Sequence, residues 1–165
     1  MVKDQTNFTS MSRFTWNIQL AGYDLKKYDE KGETTCEDFL NEFDKFPWVE
    51  QMEKRNAMSH GCSPTLSVKD LETGFGFWVS IAGDKDNYGF LIGYIYPKEV
   101  KSFFGLGKAK TKRWCDIYLT ENIPDIKNYF RLFFNKEYEQ LENSIAKLDQ
   151  FGSLEAGATK LIAGD

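Results

Sequence analysis

The sequence is poor in the residues from which small active sites are usually built. It holds one histidine, His60, in 165 residues, so any mechanism needing a histidine base has that side chain alone to use. The three cysteines, Cys36, Cys62 and Cys115, lie 26 and 53 positions apart. An odd number at such spacings is neither a disulfide framework nor a CxxC redox pair, and free thiols are expected. No run approaches the roughly 20 apolar residues that span a bilayer. The start, Met1-Val2-Lys3-Asp4-Gln5-Thr6, lacks the apolar stretch of a secretory signal, so a cytoplasmic location and no membrane contact are expected. Positive charge is not in excess either. A formal net charge of -4 disfavours nucleic acid and anionic membranes as dedicated partners, since both reward a large positive field.

What the chain has in surplus is aromatic surface, with 14 Phe, 8 Tyr and 4 Trp. Most of it must pack a core, and the Trp and Tyr rings can also anchor an interface. The length suits a single domain. A polar arm is expected over 1–13, one α+β domain over 14–150, and a tail of small and polar residues over 152–165.

Periodicity assigns the elements. Phe14 to Leu20 alternates with period two and reads as a strand. Thr34 or Thr35 can cap a helix with Phe39, Phe43 and Phe46 on one face, and Pro47 separates it from a second short helix carrying Trp48, Val49 and Met52. Thr65 to Leu71 is a further strand candidate. The runs 75–82 and 88–96 alternate strongly and are joined by Asp84-Lys85-Asp86-Asn87, which predicts a hairpin. Both faces of that hairpin carry apolar residues. One face is therefore expected against helices, and the other under the amino-terminal helices or an aromatic loop. Lys112 to Leu119 is the last strand, followed by helices over 124–134 and 137–149. The fold class expected is a two-layer α+β domain: an antiparallel sheet of about four strands with helices packed on it, two of them carboxy-terminal.

Motif matches fail on inspection. Asp84-x-Asp86 opens like a calcium loop, but the fifth position is Tyr88 and the twelfth is Ile95, where oxygen ligands are required. Gly105-x-Gly107-Lys108 lacks the spacing and the Ser or Thr of a phosphate loop. Gly74-x-Gly76 lies in an aromatic strand rather than ahead of a helix. His60 and Cys62 make one ligand pair where structural zinc needs two. No catalytic residue, metal or cofactor is expected.

Charge is distributed unevenly. Residues 24–53 hold ten acids against four lysines, and Glu37, Asp38, Glu42 and Asp44 are candidate protein-binding residues for a partner with a basic surface. Residues 98–113 read as a long connection with six Lys or Arg against one acid. There Lys101, Phe103, Phe104, Lys108, Lys110 and Arg113 are candidates for binding an anion or a partner.

In size and acidity the chain resembles bacterial immunity proteins, small acidic partners that neutralise toxins. That resemblance implies a non-enzymatic inhibitor that binds another protein, and it carries no residue assignments. The alternative is a small-molecule or nucleic-acid binding domain using the sheet face and the 98–113 loop.

Overall fold

In the computed structural model, which describes residues 13–101 and 107–157, one antiparallel sheet supports a single helical layer. The strands are β1 (Phe14–Gln19), β2 (Asp29–Thr34), β3 (Thr65–Asp70), β4 (Gly76–Asp84), β5 (Asn87–Val100), β6 (Lys110–Thr120) and β7 (Asp149–Glu155). Their spatial order is β2-β1-β3-β4-β5-β6-β7. The helices are α1 (Cys36–Lys45), α2 (Trp48–Asn56), α3 (Ile123–Phe134) and α4 (Tyr138–Ile145).

Local chemistry explains the boundaries. The Thr35 hydroxyl accepts from the Asp38 N–H and donates to the Asp38 carboxylate, closing the start of α1. Pro47 stands at the entry of α2. Asn122 caps α3 through the Asp125 N–H, with Pro124 in the first turn. The β4–β5 turn is fastened by Asp84, whose carboxylate accepts from the N–H groups of Asp86 and Asn87.

One parity of the central strands is buried against helices. Phe14, Trp16, Leu66, Val68, Phe77, Val79, Ile81, Phe90, Ile92 and Tyr94 pack with Phe39 and Phe43 of α1, Met52 of α2, Ile126, Phe130 and Phe133 of α3, and Leu141 and Ile145 of α4. Phe130 links α1 to the sheet through ring contacts, with Phe39 and Phe77 centroids at 4.6 and 4.8 Å. Asp70 is the buried charged residue on this face. It is fully buried and accepts from the Glu72 N–H and from the Thr73 and Tyr138 hydroxyls, with the Lys136 ammonium at 3.7 Å. Burial opposes its ionisation, yet these bonds and the lysine together hold its carboxyl below the ordinary range.

The other parity is less covered. There the Trp78 indole lies across Gly93, where an added Cβ would come within 1.9 Å of the ring. Leu91, Ile95 and Leu154 are half-buried nearby, Cys115 and Ile117 are buried, and Leu119 is exposed.

Three expectations are corrected. The sheet has seven strands rather than about four: both edge strands escaped the sequence pattern, and the candidate at Thr65–Asp70 is a full member. β2 and β7 contain no buried residue, so neither has the apolar alternation by which strands are recognised. The helices α3 and α4 are not carboxy-terminal, since α4 ends at Ile145 and β7 follows, taking residues 152–155 from the expected tail. The amino-terminal helices do not cover the second face, because α1 and α2 join α3 and α4 on the first.

The connection 98–113 is also shorter than expected. β5 continues to Val100 and pairs with β6 through Lys98–Lys112 and Val100–Lys110. Proline does not stop it, because β4 pairing ends at Ile95 and beyond that point β5 has β6 alone beside it, an edge where a missing N–H is tolerated. Phe103, Phe104, the arm 1–12 and the tail 158–165 lie outside the described residues.

Candidate functional site

The α1 acids divide into two stripes. At helical spacing Glu37 and Asp44 lie on one side of the buried Phe39, Leu40 and Phe43, while Asp38 and Glu42 lie on the other. All four are exposed. Glu37 and Asp44 line a groove of about 400 Å³ together with Lys127 and Arg131 of α3, and Lys127 donates to Asp44 at 2.6 Å. Asp38 is engaged with Thr35, and Glu42 stands 3.9 Å from Lys45. Cys36 lines the same groove, its thiol raised chiefly by burial and only partly offset by Arg131. It is therefore kept as thiol rather than the nucleophilic thiolate.

The basic candidates do not form one patch. Lys110 is on the same hairpin face as Lys98 and Lys112, while Arg113, opposite Pro97, is on the reverse. Lys101 follows the end of β5, and Lys108 precedes β6. Lys98 and Lys112 are direct cross-strand neighbours, a repulsive pairing relieved by two local contacts. Lys112 bonds Glu155 at 2.9 Å, and the Lys98 ammonium sits 4.3 Å from the centre of the Trp114 ring.

Beside this hairpin lies a concavity that the sequence reading missed. Tyr94 and Tyr96 of β5, Asp116 and Tyr118 of β6 and Glu142 of α4 line an open cleft of about 320 Å³ where the sheet passes beyond the helices. The Tyr94 and Tyr96 rings are stacked with centroids at 5.5 Å. The Tyr94 hydroxyl donates to Glu142 and the Tyr96 hydroxyl to Asp116, each at 2.9 Å. The second Asp116 oxygen accepts from Ser153 of β7, which in turn accepts from the Trp114 indole N–H. Burial first, and the carboxylate hydrogen bond second, raise both phenols, so they remain protonated donors. Two signals for this cleft were in the sequence: tyrosines at two successive same-face positions of β5, and an acid at the matching parity of β6. Glu142 is supplied by α4 and left no such trace.

His60 is exposed, with its Nδ1 2.9 Å from the Ser59 hydroxyl. The neighbouring Cys62 is buried and its thiol is raised mainly for that reason. Burial likewise pushes the Cys115 thiol up to about 11, against a smaller opposing hydrogen bond from Trp78. Among the described residues, no three His, Cys, Asp or Glu side chains are grouped as a metal ion would need, and no helix is long and apolar enough to cross a membrane. Comparison with protein-family models, with curated proteins and with solved structures found no match.

Proposed function

We propose that this chain is a non-enzymatic protein-binding module, an inhibitor of the immunity-protein kind, whose α1 meets a partner with a basic surface. The observation that carries the reading is the division of labour on α1. Phe39, Leu40 and Phe43 anchor the helix in the core, leaving Glu37 and Glu42 on the surface with little role in folding. Exposed acids of this sort act on association through their long-range field. The net charge of -4 and the acid excess over 24–53 support the same reading. The alternative, an anion or nucleic-acid site on the basic hairpin, has less support, because its cations are split between two faces and Lys98 and Lys112 are already engaged.

The test is the pair Glu37→Gln with Glu42→Lys, which leaves the Thr35–Asp38 cap and the Asp44–Lys127 bond in place. Once the partner has been recovered by crosslinking in its native cell, association rates are measured at about 20 and about 200 mM salt. The variant should associate about tenfold more slowly at low salt, with a shallower salt dependence and unchanged urea unfolding. Equal rates and equal salt slopes would reject the reading.

A further inference from the structure

We propose that the cleft between α4 and the β5–β6 strands is a receptor for a single ammonium or guanidinium group, held by Asp116 and Glu142 beside the Tyr96 ring. The inference is independent of the role given to α1.

Three observations converge on it. The cleft lining contains two carboxylates and no lysine or arginine. Neither carboxylate has an ion-pair partner among the described residues; Asp116 accepts from two hydroxyls, and Glu142 from one. Those donors are neutral, and a carboxylate has about four lone-pair sites, so each retains acceptor capacity for a cation. Of the lining rings Tyr94 and Tyr118 are buried, and the half-buried Tyr96 ring is the one placed to attract a cation through its quadrupole.

The third observation is a precedent one step along the same strands. Lys98 already rests its ammonium on Trp114, and Trp114 is tied through Ser153 to Asp116. An aromatic ring thus holds a cation two residues along the same strands, and the cleft adds two carboxylates to the same kind of ring surface. Its volume of about 320 Å³ suits one side chain or a small amine rather than a large cofactor. The group could come from a protein or from a free amine, and the probes separate the two.

The experiment follows tyrosine ring signals by NMR as the intact chain is titrated with methylguanidinium, n-butylammonium and, as the matched anion, butyrate. A decapeptide with one central arginine is compared with the same peptide carrying citrulline. Both small cations should move the Tyr94 and Tyr96 signals saturably, and butyrate and the citrulline peptide should not. The exposed Glu142→Gln keeps an acceptor for Tyr94 and should weaken cation binding about fivefold or more. Asp116→Asn should act in the same direction, and Lys98→Ala should tighten binding by removing a nearby like charge. Tighter binding of the arginine peptide than of methylguanidinium would assign the cation to a protein, and equal binding to a small amine. Equal effects of butyrate and butylammonium, non-saturating shifts, or unchanged affinity in Glu142→Gln would overturn the proposal.

Discussion

The two faces of the sheet are made by the same strands and are stabilised differently. On the covered face, Phe77, Val79 and Ile92 are each 0% exposed and interlock with rings from α1 and α3. On the other face, packing depends on one large ring laid over a residue without a side chain, Trp78 on Gly93, with smaller apolar groups around it. The covered face obtains its stability from many mutually supporting contacts. On the open face the largest element of packing is that one fitted pair, with Cys115 and Ile117 buried beside it.

The contrast breaks most visibly at Phe77. Phe77→Ala opens a cavity within a close-packed cluster and should cost about 3–5 kcal/mol in urea unfolding, whereas the half-buried Leu91→Ala on the open face should cost under about 1.5 kcal/mol. Similar losses at the two sites would remove the distinction between the faces. A sharper probe is Gly93→Val. The added side chain must evict the Trp78 indole, and the expected cost is about 1–3 kcal/mol. In a Trp78→Ala background most of that cost should vanish, so a double-mutant cycle that proves additive would show the pair to be uncoupled.

The smallest effect tests the buried carboxylate on the covered face. Because the folded state lowers the Asp70 pKa, its contribution is complete above the unfolded value of about 3.9 and is lost as the pH falls through the folded one. Asp70→Asn should therefore cost about 1 kcal/mol near neutrality, and the gap between wild type and variant should close below about pH 4. A gap that stays constant down to pH 2 would show that the carboxylate charge contributes nothing.

The same contrast explains what was legible in the sequence. Strands β1, β3, β4 and the first part of β5 border the core, and burial imposes a period of two that can be read directly. The helices α1 and α2 announce themselves through Thr35, Pro47 and the phenylalanine spacing of α1. β2, with sequence Asp29-Glu30-Lys31-Gly32-Glu33-Thr34, has nothing to bury and looks like any polar loop. β7 and the β5 extension past Pro97 are set by partner strands, and this information is absent from local pattern. The candidate sites divide in the same way. The exposure of Glu37, Asp38, Glu42 and Asp44 follows from helix periodicity, but the Asp44–Lys127 contact and the approach of Glu142 to Tyr94 depend on tertiary placement.

The two edge strands share a feature with a further consequence. In β2 the pairing slips at Lys31, and in β7 it slips at Phe151, so each edge carries one unmatched residue near its middle. A sheet that ended in two flat, regular strands would offer its free backbone groups to the next molecule and could propagate from copy to copy. Here the inserted residue breaks the row of donors and acceptors at both ends, and β2 adds a repelling row of charges. Among the described residues Phe151, 58% exposed, is the most exposed large apolar side chain and would otherwise be apt to seed such growth. Its position in the irregularity turns this exposed ring into part of the guard against self-association.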